Sequence, residues 1–221
     1  MPQTRSIMTT ATQLSFTHRF EPGADRNAPP LLLLHGTGGD ENDLIALGRM
    51  VAPDATLLSP RGKVLEGGMP RFFRRLAEGV FDEDDVRRRS HELADFVAEA
   101  RAAYGLPAPI ALGFSNGANI AAATLLLRPE AFAGAVLIRA MVPLAEAPAA
   151  DLSAKPVMIL SGSMDPMVSA DNAAGLAAQL RAAGANVHHR TLPTGHGLSQ
   201  ADVTLARDFI RREAPAIVSP P

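Results

Sequence analysis

The chain has 221 residues, of which 47% are hydrophobic and 20% charged, a size and balance expected of one folded domain spanning residues 1–221. The 21 basic and 23 acidic residues give a formal charge of −2, which offers no footprint for nucleic acid, and the absence of cysteine excludes disulfides, thiolate metal sites and a cysteine nucleophile. The apolar runs are far shorter than the ~20 residues of a membrane span.

Residues 1–12 lack an apolar stretch of signal-peptide length, so they are expected to be a flexible lead-in to a cytoplasmic protein. Leu14–Phe20 alternates weakly and suits an antiparallel edge strand. Leu31–Leu34 is a short apolar run, as expected of a strand buried on both faces, and it empties into His35-Gly36-Thr37-Gly38-Gly39-Asp40. That loop lacks both the G-x-G-x-x-G spacing and the lysine of a phosphate-binding turn. Ala55–Leu58 is the next strand candidate.

Arg61–Asp82 fits neither a helical nor a strand period and carries Gly62, Gly67, Gly68 and Pro70. A loop this long inside a compact domain is usually functional. It is expected to form a pocket wall, with Met69, Phe72 and Phe73 facing an acyl or aryl group; ordinary core packing of those side chains is the competing reading. Its arginines, Arg71, Arg74 and Arg75, lie close to Glu78 and Asp82, and Arg87–Arg89 follow Asp82–Asp85, which reads as a self-neutralised, solvated surface.

From Asp85 to Tyr104, the residues Leu93, Phe96, Val97 and Ala100 recur on one helical face until Gly105 and Pro107 stop the helix. Ile110–Phe114 then reads as a strand and Asn116–Leu127 as a helix. Between them lies Gly113-Phe114-Ser115-Asn116-Gly117, a G-x-S-x-G pentapeptide in strand–turn–helix context. The turn is sharp, so small residues two before and two after the serine let strand and helix approach. Further strands are expected at Ala133–Ile138, Val157–Leu160 and Val187–Leu192. Further helices are expected from Asp171, read as an N-cap, to Ala183, and after an N-cap at Ser199. Strands alternating with helices imply a mostly parallel sheet with helices on both faces.

A serine hydroxyl needs a base, and the base needs an orienting partner. In chain order, Ser115 is followed by Asp165, just beyond the strand Val157–Leu160, and by His196, just beyond Val187–Leu192. Loops that follow parallel strands share one sheet edge, where ligands bind in open α/β sheets. His188 and His189 lie within a strand, His35 precedes the serine, Asp151 precedes its strand and Asp202 follows His196, so none of them fits the order as well. The backbone N–H groups of Thr37 and Asn116 are the expected oxyanion donors. Met167 and Leu198 are further substrate-contact candidates by proximity to Asp165 and His196. No metal or cofactor is called for.

LLLLHGTGGDENDL, RGKVLEGGMPRFFRRLAEGVFDEDDV, GFSNGANIA, SGSMDPMV and TGHGLS together resemble the phospholipase/carboxylesterase family of small α/β-hydrolases, and its bacterial carboxylesterase branch in particular. The resemblance runs from Leu31 to Phe209. It implies an α/β-hydrolase fold without a large lid domain and a cofactor-free serine esterase acting on a small-molecule ester. It also supports Ser115, Asp165 and His196 as the triad and Thr37 and Asn116 as the oxyanion donors. Acyl thioesterase and lysophospholipase activity would use the same triad, an amidase has no positive signal, and a non-catalytic binding module is disfavoured by the intact triad. A homodimer is compatible with the family but no residue specifies an interface. One departure stands out: many relatives carry a serine–glycine pair leading to a proline after Ala133–Ile138, whereas this chain has Arg139-Ala140-Met141-Val142-Pro143. Arg139 and Met141 are expected to reshape the acyl or alcohol pocket.

Overall fold

The computed structural model describes residues 14–25 and 27–218, so the lead-in expected over residues 1–12 lies outside the described residues. In chain order the elements are β1 (His18–Glu21), β2 (Leu31–Leu34), α1 (Ile45–Val51), β3 (Leu57–Pro60), β4 (Val64–Glu66), β5 (Met69–Arg71), β6 (Arg75–Ala77) and β7 (Val80–Phe81). They continue with α2 (Glu83–Tyr104), β8 (Ile110–Phe114), α3 (Asn116–Leu127), β9 (Gly134–Ile138), β10 (Pro156–Gly162), α4 (Ala170–Ala182), β11 (Asn186–Leu192) and α5 (Gln200–Val218). Seven strands form one sheet in the order β1-β3-β2-β8-β9-β10-β11, and only β1 runs antiparallel to its neighbour. This is the mostly parallel sheet that the strand and helix pattern implies, in the α/β-hydrolase arrangement that the family resemblance implies.

The period of two along each strand divides the core. Leu32 and Leu34 face a cluster that includes Val86, Phe96 and Val97 of α2, Ile120 and Leu125 of α3, and Leu176 and Leu180 of α4. Leu31 and Leu33 face the opposite cluster, built on Ile45 and Val51 of α1 and Val203, Ala206 and Phe209 of α5. Both faces are therefore covered, which explains why the central strands read as unbroken apolar runs. The helix α3 is buried almost all round, and its polar positions are confined to the end nearest Ser115 and to Thr124.

Several boundaries move from their sequence-based positions. The edge strand is His18–Glu21, and β3 runs to Pro60, because His18 through Glu21 pair with Pro60 through Leu57. The first turn of α2 begins two residues early, since Asp82 caps it by accepting from the Asp85 N–H. Ser169, not Asp171, caps α4, accepting from the Asn172 N–H and leaving Asp171 in the first turn.

The largest difference is Arg61–Asp82, which is not an unstructured loop. It folds into two short antiparallel hairpins, β4–β5 and β6–β7. Their turns use Gly67 (φ +57°), Gly68 (φ +84°) and Gly79 (φ +72°), left-handed conformations that glycine adopts without steric cost. Strands of two or three residues are too short to show a periodicity of their own.

Candidate active site

Ser115 sits between β8 and α3 with φ +52° and ψ −115°, a strained conformation for a residue with a side chain. The flanking glycines make the turn possible. A Cβ on Gly113 would come within 2.6 Å of the Gly117 carbonyl oxygen, and one on Gly117 within 2.0 Å of the Leu34 carbonyl oxygen. The turn raises the Ser115 side chain at the C-terminal edge of the sheet, where the loops after β2, β9, β10 and β11 also emerge.

These loops are tied sideways to one another. The Ser115 N–H donates to the Ile138 carbonyl at 2.8 Å, the Arg139 N–H to the Leu160 carbonyl at 2.8 Å, the Ser163 N–H to the Leu192 carbonyl at 2.8 Å and the Met164 N–H to the Thr194 carbonyl at 3.1 Å. Sheet pairing thus carries past the strand ends into the loops that bear Ser115, Asp165 and His196.

The three side chains form one hydrogen-bonded relay. His196 Nε2 lies 2.9 Å from Ser115 Oγ, and His196 Nδ1 lies 2.8 Å from Asp165 Oδ2. The buried Asp165 accepts again at Oδ1, from the Met167 N–H at 2.8 Å and the Val168 N–H at 3.1 Å, so its carboxylate is fixed from both sides. With Nδ1–H directed at a carboxylate, Nε2 is left as an acceptor for the serine hydroxyl proton. The Phe114 ring packs at 5.6 Å from the imidazole.

Thr37 and Asn116 border the same cleft as Ser115 and His196. The Asn116 N–H belongs to the first turn of α3, where amides have no partner within the helix. The Thr37 N–H has no acceptor among the described residues, while the turn around it is held by Gly38 N–H to the Pro70 carbonyl at 3.0 Å. Buried His35 braces that turn: its Nδ1 lies 2.7 Å from the Gly36 carbonyl, and its Nε2 accepts from the Gly62 N–H at 3.0 Å. Those partners define a neutral imidazole, and burial pushes its pKa below the ordinary value of 6.5.

The expected substrate contacts separate into two groups. Met167 lines the cleft, and exposed Met69 lies against Gly38 beside it. Phe72 and Phe73 do not line it. Both are buried in the core, Phe72 tilted against His35 at 4.7 Å between ring centroids and Phe73 edge-on to Phe81 at 5.0 Å. Phe72 reaches the site only through its backbone N–H, which donates to Asn116 Oδ1 at 2.8 Å and fixes that amide. Leu198 is exposed and lies outside the cleft lining. The competing core reading is therefore the one realised for the two phenylalanines.

The arginines also differ from expectation. Arg71 is only 3% exposed and, with Arg75, Gly79 and Phe81, brings the two hairpins to the cleft wall. Arg74 remains at the surface, paired with Asp82. Met141 does border the cleft, and its N–H is held by Asn119 Oδ1 at 2.7 Å. An amide one turn past Ser115 in an otherwise apolar helix was the available signal for Asn119.

Arg139 plays another part. It reaches the cleft wall with φ +56°, yet its guanidinium is fully buried against fully buried Asp202, at 2.9 Å and 2.8 Å. Its remaining hydrogen bonds run to the Gly195, Leu160 and Gly197 carbonyls at 3.0, 3.0 and 3.2 Å. All five guanidinium donors are thereby engaged, so none is left to hold a substrate. Arg139 anchors the residues on either side of His196. Asp202 in turn accepts from the Ser199 N–H at 2.8 Å, joining the first turn of α5 to the same anchor.

The cleft is small, about 40 Å³. A larger cavity of about 290 Å³ lies at the opposite sheet edge, lined by residues that precede β2, β3 and β8, with Tyr104 the sole ionisable group among the described residues that line it. Among the described residues no group of His, Asp or Glu side chains is placed to hold a metal, and no helix is long and apolar enough to cross a membrane.

A family model described as phospholipase/carboxylesterase matches residues 17–213. The chain belongs to this family. A Bacillus subtilis (strain 168) protein named as a hydrolase, MhqD, is 44% identical over 196 residues, covering 88% of this chain and 97% of that one. The crystal structure of the Bacillus cereus carboxylesterase is 44% identical, covers 90% of this chain and 94% of its own, and superposes with a TM-score of 0.87. A carboxylesterase from Mesorhizobium loti is 32% identical over 90% of this chain and 96% of its own, with a TM-score of 0.86. These hydrolase relatives share the fold over nearly the whole chain.

Proposed function

We propose that the protein is a serine carboxylesterase that cleaves small carboxylic esters through an acyl-enzyme. The observation that carries this reading is the relay from Ser115 Oγ through His196 to Asp165, at 2.9 and 2.8 Å, at the edge of a cleft. His196 Nε2 takes the hydroxyl proton as Ser115 Oγ attacks the ester carbonyl carbon. The Thr37 and Asn116 N–H groups receive the oxyanion that forms. As the C–O bond to the alcohol breaks, His196 returns the proton to the leaving oxygen. Water, deprotonated by the same imidazole, then attacks the acyl-enzyme and releases the acid and Ser115. Asp165 orients the imidazole and stabilises its charged form.

Family membership and the carboxylesterase neighbours support the choice of an ester substrate. A cleft of about 40 Å³, against the several hundred that enclose a drug-sized ligand, favours a short acyl group. Ser115→Ala is the test. It should retain the far-UV circular dichroism of the wild type, resist labelling by a fluorophosphonate and lose at least about 10³-fold in kcat on p-nitrophenyl acetate. Hydrolysis by that variant at the wild-type rate refutes the assignment.

A further inference from the structure

The cleft beside Ser115 is electrostatically one-sided. Three arginines border it and, among the described residues, no aspartate or glutamate does. Arg139 is matched by Asp202 and has no free donor. Arg71 and Arg75 are matched differently, because they share one carboxylate. Glu66, on β4 and outside the cleft lining, lies 2.5 Å from Arg71 Nη1 and 2.9 Å from Arg75 Nε.

Two guanidinium groups against one carboxylate leave one positive charge uncompensated at the cleft wall. Donors are left over as well. Arg71 gives Nε to the Phe73 carbonyl at 3.3 Å and Nη1 to Glu66, while its Nη2 and both terminal nitrogens of Arg75 have no acceptor among the described residues. Arg71 is 3% exposed, so its charge is stripped of most of its water. A charge in that position favours an anionic partner more strongly than one in bulk solvent. Planar guanidinium donors suit a carboxylate best, since both of its oxygens can be met at once.

We propose that Arg71 and Arg75 form a subsite for a carboxylate carried by the substrate, so that the preferred substrates are short esters bearing a free carboxylate. The binding part of this inference stands on the charge arrangement alone; the kinetic part rests on the serine esterase reading. The carboxylate can belong to the acyl group, as in a half-ester of a short dicarboxylic acid, or to the alcohol.

Binding is tested by titrating glutarate into the Ser115→Ala protein by calorimetry, with glutaramide as the uncharged control. Glutarate should bind and glutaramide should not. Arg75→Gln in the same background should weaken glutarate at least about 10-fold, and added salt should weaken it too. No glutarate binding, or equal binding with and without Arg75, overturns the subsite and leaves Arg71, Arg75 and Glu66 as a tie between hairpins. Kinetics then assign the side. Monophenyl glutarate is compared with phenyl pentanoate, and 4-acetoxybutyrate with butyl acetate, using the ratio of kcat/KM within each pair. One ratio should exceed about 10 in the wild type and fall towards unity in Arg75→Gln. Cleavage without any charge preference overturns the subsite alone. Arg75-dependent glutarate binding by a protein that cleaves none of the four esters overturns the esterase reading and leaves the subsite standing.

Discussion

Replacing Arg139 by methionine removes a charge whose partner stays behind. Asp202 is fully buried and receives two guanidinium donors, so the variant leaves a buried carboxyl group with only Ser199 to satisfy it. Breaking one side of a buried ion pair costs about 3–5 kcal/mol. The Leu160, Gly195 and Gly197 carbonyls lose a donor as well, which pushes the cost towards the upper end. Release of a side chain at φ +56° offsets little, because methionine in that conformation is strained too. For a chain of this size the loss corresponds to a fall in Tm of roughly 6–20 °C. Urea denaturation and calorimetry measure it. Because Gly195 and Gly197 flank His196, kcat at a temperature where the variant is folded should fall while KM for a neutral ester changes little. The double variant Arg139→Met with Asp202→Leu replaces the pair by apolar groups and should recover much of the stability. An Arg139→Met protein within 1 kcal/mol of wild type would refute the claim that this pair anchors the His196 loop.

Phe73→Ala should cost about 3–5 kcal/mol in unfolding free energy, since the ring is fully buried between hairpin and core; a change below 1 kcal/mol would return Phe73 to the pocket. The pH dependence of stability follows from His35 and His189, whose pKa values burial holds below 6.5. Above 6.5 both are neutral, folded or unfolded. As pH falls below 6.5 the unfolded chain takes up protons that the folded one refuses, so stability declines with falling pH. Tm measured between pH 7 and 5 should fall, and more gently in His35→Gln, where one of the two groups is gone; an equal slope in that variant contradicts the buried neutral imidazole.

Much of this molecule was legible in one dimension. Apolar runs of strand length alternating with helical periods are enough to imply a parallel sheet covered on both faces, because burial on two sides leaves no room for polar alternation. The placement of Ser115, Asp165 and His196 just past three strands was readable for a related reason: parallel strands deliver their following loops to one edge. Gly113 and Gly117 were readable because only glycine fits where an added Cβ would meet a backbone carbonyl oxygen at 2.6 and 2.0 Å.

What stayed hidden depends on contacts between residues far apart in the chain. Hairpins of two- and three-residue strands have no pattern to read, so the Arg61–Asp82 segment reads as a loop, and its phenylalanines read equally well as pocket wall or as core. Arg71 passed for a surface cation because its neighbours in sequence are charged, whereas its neighbours in space are Glu66, the Phe73 carbonyl and the cleft. Arg139 and Asp202 stand 63 residues apart. Each looked anomalous alone, one near an expected pocket and one too late in the chain for the relay, and only their meeting turns an arginine expected to shape the cleft into the anchor of the histidine loop. Local sequence fixes which elements form and where their loops emerge; the pairing of buried charges is decided by tertiary packing, since a charge in the core is tolerated only where its partner arrives.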